Sequence, residues 1–361
     1  MKNYITWLMI PIMAVSLATP AGGQSIEETL EDLVSTNAKG YLGPFSTAFG
    51  TSMNSGTYHT ARPHKILGFD VTINLAMTTV PEAALTYDFY IPDEVNMPLE
   101  IPEEIPLPAG MTDRLINIPL SGASLYPAED RVSATIFGAN ESYVIEPSET
   151  YASSAVETKL LDLGFESAVV SQLSSEIGSS VSQLTLYTPK GIDFSFLPIP
   201  MPQFSLGLPL NTELTLRGFT LPLGDSGEDL SFSGYGLKIG LNQFIPTIPL
   251  VFPAVSVGYY ATNMDLAGFI TAQNSIINLQ VSKSVPVLTL YGGFGLESSS
   301  IDVKVDNPDT GENILDFSLD GDNSFRTTVG LRIKLLLLSI NVDYNMGEYS
   351  AINAGVGLTL R

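Results

Sequence analysis

The chemistry open to this chain rests on few side chains, because its 361 residues include two histidines and no cysteine. Both histidines lie in one run, Thr57-Tyr-His-Thr-Ala-Arg-Pro-His64. A His-x4-His pair can hold a metal when one helix aims both rings at a point, but Pro63 breaks such a helix and no third ligand is evident. His59 and His64 therefore read as polar lumen or turn residues. Hydrolysis by a Ser-His-Asp triad would need a G-x-S-x-G elbow, which the sequence lacks. No Gly-rich phosphate cradle or nucleotide fingerprint is present either. The expectation is a protein without catalytic residues, metal or cofactor, and so not an enzyme. The missing cysteines remove disulfides, thiolate metal sites and thiol nucleophiles as well.

The cations are more informative, since Arg217, Lys238, Arg332 and Lys334 all fall on the polar side of strand-like alternations. Around Lys238, the residues Tyr235, Leu237, Ile239 and Leu241 alternate with Gly236, Lys238, Gly240 and Asn242. A period of two puts the two sets on opposite faces of a strand. The C-terminal stretch repeats the pattern. Ile340, Val342 and Tyr344 alternate with Ser339, Asn341, Asp343 and Asn345, and after an Asn-Met-Gly-Glu turn Ile352, Ala354, Val356, Leu358 and Leu360 alternate with small polar residues. Phe69 to Met77 alternates in the same way against Asp70, Thr72 and Asn74, and Leu85, Tyr87, Phe89 and Ile91 against Asp88 and Tyr90.

Strands with one aliphatic face and one face of Gly, Asn, Ser and Thr suit a transmembrane β-barrel, apolar toward lipid and polar toward the lumen. Charged residues make up 15% of the chain, against about 25% in ordinary soluble domains, and the mean hydropathy is +0.22. Yet no stretch after the N-terminus offers the roughly 20 apolar residues of a membrane helix. The reading is an all-β fold, an antiparallel barrel of about 12 to 14 strands. In it Arg217, Lys238, Arg332, Lys334, Asp70, Asp88 and Asp343 face the lumen, because a cation on the lipid face costs about 2 to 4 kcal/mol at the midplane. The cations would form a wall for anionic or amphiphilic solutes, or pair with Asp70, Asp88, Glu213 and Asp343.

The N-terminus reads as a cleaved signal peptide over residues 1–23, with Lys2, an apolar core from Ile5 to Leu17, and cleavage before Gln24. One domain, 24–361, follows. Its residues 24–65 form a plug-like N-terminal segment, with a Ser25…Glu28 capping box opening a helix that Gly40 ends. Residues 92–126 form a long acidic loop rich in proline. Two short helices follow, the first capped at Ser154, and Pro198, Pro200 and Pro202 are placed between strands. The stretch Val303 to Phe325 is a second acidic loop without the EF-hand order of ligands. Both loops are expected outside the cell.

The runs GYLGPF, MNSGTYHTARPHKILGFDV, PMPQFSLGLPLNTELTLRGF and GYGLKIGLNQFIPTIPLVFP resemble an uncharacterised outer-membrane barrel family of Gram-negative bacteria, a domain of unknown function. The resemblance implies a barrel at the outer membrane and no particular substrate. A looser likeness, of architecture alone, is to fatty-acid transporter barrels of the FadL type.

With 38 acidic against 16 basic residues the formal charge is −22, which excludes a nucleic-acid surface. The expected partners are outer-membrane lipid and lipopolysaccharide, the barrel-insertion machinery, and a hydrophobic or amphiphilic solute. Barrels of this kind commonly end in an aromatic residue that the insertion machinery reads; here Leu358 and Leu360 stand in its place. Uptake of small hydrophobic molecules leads the functional readings, ahead of a structural or adhesive surface barrel and of a secreted soluble β-sandwich.

Overall fold

The computed structural model describes residues 26–171, 173, 181, 185–222, 229–244, 252–306 and 313–360. The signal peptide and Ser25 lie outside these residues. The chain opens with the helix α1 (Ile26–Met53) and the strand β1 (Phe69–Thr79). An insert follows, with β2 (Thr86–Asp88), β3 (Glu94–Glu100), β4 (Leu115–Ser121), α2 (Gly122–Leu125), β5 (Val132–Ala134), β6 (Val144–Ile145), α3 (Glu149–Asp162) and β7 (Leu186–Tyr187). Ten further strands complete the fold: β8 (Phe196–Leu208), β9 (Thr212–Pro222), β10 (Asp229–Gly240), β11 (Ala254–Leu266), β12 (Ile270–Ser284), β13 (Leu288–Asp306), β14 (Asn313–Asp320), β15 (Phe325–Leu335), β16 (Leu338–Met346) and β17 (Ser350–Leu360).

The expected single domain divides into two compact units, one holding Leu85–Asp193 with the chain up to Tyr41, the other Leu42–Ala84 with Phe194–Arg361. The second is the barrel. Its strands run β12-β11-β10-β9-β8-β1-β17-β16-β15-β13, and pairing of β12 with β13 closes the ring, with β14 attached to β13. All neighbours are antiparallel. The closed ring has ten strands rather than twelve to fourteen. Part of the excess arose because Leu85 to Ile91, expected as a barrel strand, belongs to the insert.

Alternation decides the faces. Along β1 the odd-numbered residues Val71, Ile73, Leu75 and Met77 point outward and are 47%, 57%, 42% and 38% exposed, while Asp70, Thr72, Asn74 and Thr78 are buried inside. The expected loop Val303 to Phe325 is largely strand, because β13 continues outward and β14 pairs back onto it from Ser300↔Asp320 to Asp306↔Asn313. Pro198, Pro200 and Pro202 lie within β8 rather than between strands. Past Gln203↔Arg217, β8 has β1 alone as partner, so prolines whose missing N–H groups face the open side lose no ladder bond.

The insert has its own core, in which Ile101, Ile118, Leu120, Leu125, Ile145, Val156 and Leu160 are fully buried. The expected loop 92–126 is therefore a hairpin, β3 against β4 with Pro98 opposite Asn117. Glu94 and Glu100 are exposed on one face of β3, while Leu99, with Val95 and Met97 at the alternate positions, packs into the core. Helix α3 starts at an N-cap Ser148 whose hydroxyl accepts from the Tyr151 N–H, six residues before the expected cap at Ser154. Of the second expected helix, residues 167–171 are helical and much of the remainder lies outside the described residues. Helix α1 runs through Gly40 instead of ending there. A Cβ at residue 40 would lie 2.4 Å from the Tyr87 ring, so glycine serves close packing at that point.

Candidate functional site

The barrel wall encloses the last turns of α1 and the segment 54–64 that follows them. Thr47, Ala48, Phe49, Thr51, Ser52 and Met53 are buried, as are Asn54, Tyr58, His59 and His64. Small residues let this stopper meet the wall. A Cβ at Gly50 would stand 2.3 Å from the Ser299 hydroxyl.

A helix that ends inside a barrel carries its unbonded carbonyls and the negative end of its dipole into a space without bulk water. Two wall arginines meet them. Arg217 on β9 donates from Nη1 to the Met53 carbonyl at 2.7 Å and from Nη2 to the Ser55 carbonyl at 2.8 Å. Arg326 on β15 donates to the Thr51 carbonyl at 2.7 Å and to the Ser55 hydroxyl at 2.8 Å. It also stands 2.8 Å from Glu297 Oε2 on β13, which accepts the Asn54 side-chain amide at 3.2 Å.

The segment beyond the helix is held by carboxylates. Glu213 on β9 lies 2.6 Å from Lys238 Nζ on β10, and its other oxygen accepts the His64 backbone N–H at 3.0 Å and lies 2.6 Å from His64 Nδ1. An ionised carboxylate can only accept, so Nδ1 carries the proton. Lys238 in turn donates to the Thr60 carbonyl at 3.2 Å. His59 Nε2 lies 3.4 Å from Asp70 Oδ2, and Arg332 approaches the same oxygen at 3.5 Å. Asp343 takes three neutral donors, the Tyr291 hydroxyl at 2.9 Å and the amides of Asn345 and Asn353 at 2.7 and 2.8 Å.

The inward set is thus Arg217, Lys238, Arg332, Asp70 and Asp343, all buried. Lys334 shares the inward parity of Arg332 but is half-buried, at the end of β15. Asp88 is the correction. It is exposed on β2, in the insert and not in the barrel, because the alternation around it belongs to a short strand paired with β5. Leu358 and Leu360 face outward, 56% and 47% exposed. The two histidines do not converge: each faces a different wall carboxylate. Sequence reasoning missed Arg326 and Glu297, although Arg326 has the parity of Arg332 six residues on and was there to be found. Between stopper and wall lies a cavity of about 10 Å³, lined by Asn54, Tyr58, Asn278, Arg326 and Asp343 among others, with room for about one water.

A model of the family of unknown function DUF6588 matches residues 1–360. The chain belongs to this family. None of the curated proteins matches it. Among solved structures, the chain is similar to OmpT, an outer membrane protein of Vibrio cholerae. The form lacking loop L8 is 15% identical, with 45% of this chain and 53% of that one covered and a TM-score of 0.23. The match thus spans about half the length of that relative. The in-vitro folded trimer form is 9% identical over 81% of this chain and 98% of that one, with the same TM-score of 0.23. In this DUF6588 chain, Arg217, Arg326, Lys238 and Glu213 of the interior bind the chain's own segment 51–64.

Proposed function

We propose that the protein is an outer-membrane β-barrel kept shut by its own segment 42–64, and that it serves as a closed membrane anchor rather than as an open pore. The carrying observation is where the cations go. Arg217 and Lys238 of the expected cationic wall, and Arg326 beside them, direct their donors to the stopper and to Glu213 and Glu297, so these three hold the chain itself rather than a passing anion. A membrane setting is supported by the outward face of the barrel, where Leu, Ile, Val and Phe side chains stand exposed on strand after strand.

Passage of an amphiphile is the second reading, and one feature favours it. Arg332, Asn341 and Asn74 lie in one row across β15, β16, β17 and β1, through the register Arg332↔Asn341, Asn341↔Gly355 and Asn74↔Gly355. Both amide atoms of Asn341, the Asn74 carbonyl oxygen and the Arg332 Nε are buried without hydrogen-bond partners. Such a seam would suit a polar headgroup if the stopper moved aside.

Planar-bilayer conductance separates the readings. The anchor reading expects wild type to conduct poorly with any ion or amphiphile, and the Arg217→Gln/Arg326→Gln double variant to open large steps. Sizeable wild-type currents, or an amphiphile that opens the wild-type bore, would sink the anchor reading and favour passage.

A further inference from the structure

The barrel has two unlike rims. At one rim lie residues 62–67 before β1, the turns β8–β9, β12–β13 and β15–β16, residues 241–244 after β10 and 252–253 before β11, and the end of β17, as the antiparallel register from Phe69↔Leu360 and Phe69↔Leu206 onward requires. Its exposed side chains are large and apolar. Leu67 is 75% exposed, Leu210 81%, Phe244 72%, Val285 56% and Leu336 93%. Three of them, Leu67, Leu210 and Leu336, hold φ of 62°, 61° and 55°, where glycine or asparagine would be at ease. Turns in water have no reason to carry leucine there.

The same rim is cationic in an acidic protein. Arg62, Lys65, Lys283 and Lys334 occupy it, and no Asp or Glu occurs in residues 61–69, 281–290 or 331–341. The opposite rim bears Glu82, Asp229, Asp265, Asp320, Asp322 and Glu348.

The register shows where lipid must end. On β12, counted from the cationic rim, the outward residues are Lys283, Val281, Leu279 and Ile277, with Leu290 opposite Lys283 and Phe294 and Leu296 opposite the last two. Then the outward face turns polar on both strands at once, with Ser275↔Ser298 and Gln273↔Ser300. On β10 and β11 the change comes at Ser233↔Asn263. From Ile277 to the end of β12 is seven residues, about 23 Å of strand and about 18 Å of height at a tilt near 40°. A barrel's apolar band is about 25 Å tall. On β12 the apolar turn beyond the strand end continues the band, while on β15 the outward apolar residues from Phe325 to Leu335 already span it.

We infer that this rim is a lipid-docking surface: its turns sit in the boundary between acyl chains and headgroups, and the exposed Arg62, Lys65 and Lys283 engage the phosphates of anionic phospholipid. Lipid, rather than a protein partner, is the occupant because the turns continue the lipid-facing band and their charge complements a phosphate layer. The inference rests on the membrane reading above.

Two measurements on the full chain test it. In a Trp7→Phe background, which removes the chain's single tryptophan, Leu336→Trp should lose most of its emission in vesicles of phosphatidylcholine brominated near the glycerol. An unquenched Trp in a protein that has inserted would place the rim in water and overturn the inference, leaving a protein partner or none. Failure to insert into any vesicle would instead overturn the membrane reading. In the second measurement, adding phosphatidylglycerol to phosphatidylcholine vesicles should raise the unfolding temperature of wild type. The Arg62→Gln/Lys65→Gln/Lys283→Gln variant should lose that rise; an equal rise in both proteins would remove the phosphate contacts from the proposal. Should that variant fail to insert, Lys65→Gln and Lys283→Gln made singly should each reduce the rise, and no reduction would count against the contacts.

Discussion

Replacing Arg326 with glutamine should unseat the stopper, and the size of the effect can be worked from its partners. The guanidinium ends on the Thr51 carbonyl at 2.7 Å, the Ser55 hydroxyl at 2.8 Å and Glu297 Oε2 at 2.8 Å, with Arg326 only 2% exposed. Breaking a buried ion pair by removing one partner costs about 3 to 5 kcal/mol, mainly because the remaining charge is stranded. The lost hydrogen bonds from a charged donor are worth about 1.5 to 3 kcal/mol each but overlap with that figure, so about 3 to 5 kcal/mol is expected in all. Arg217→Gln should cost less. That residue binds two carbonyls, and its removal relieves the desolvation of a charge with no carboxylate at salt-bridge distance among the described residues. Adding Glu297→Gln to Arg326→Gln should restore part of the loss, because it removes the stranded carboxylate. Urea unfolding in vesicles reads the stabilities, and conductance reads whether the stopper has left. The reasoning fails if Arg326→Gln stays within about 1 kcal/mol of wild type, or if Glu297→Gln deepens the defect instead of relieving it.

Three further outcomes follow from single positions. Leu360→Asp sits on the outward face near a strand end, where a charge costs only about 0 to 1 kcal/mol, so a large fall in inserted protein in cells would mark Leu360 as part of an assembly signal, and unchanged insertion would remove it from that role. Leu120→Ala, in the core of the insert with 0% exposure, should destabilise that unit by about 2 to 5 kcal/mol in a chemical melt. Burial pushes the Tyr126 phenol up to about 12 from an ordinary value of 10.0; the folded insert favours the neutral phenol, so this contribution is intact below pH 10 and is lost as pH rises from there toward 12. Tyrosinate absorbance of folded and denatured protein, followed over that range, checks the sign.

Much of the barrel was legible along the chain. A strand in a membrane barrel has two solvents, lipid on one face and a polar bore on the other, and a period of two records both. That is why Val71 and Ile73 could be set outward and Asp70, Arg217, Lys238, Arg332 and Asp343 inward before any pairing was known. The same local signal misplaced Asp88, since Leu85 to Ile91 alternates like a barrel strand and nothing local says which sheet it joins. It also made a loop of residues 92–126, where prolines and glutamates mask the alternate residues that enter a core.

What the wall cations do was decided by tertiary structure. Alternation gives the direction of a side chain, but a partner such as the Met53 carbonyl, 164 residues from Arg217, depends on where the chain passes through the bore. A bare backbone carbonyl carries no mark in the sequence. The place where α1 ends, and so which carbonyls need donors, depends on how far the helix runs past Gly40. Residue types and spacing determined a barrel with a polar interior; only the packed chain decided that its interior is occupied by the protein itself.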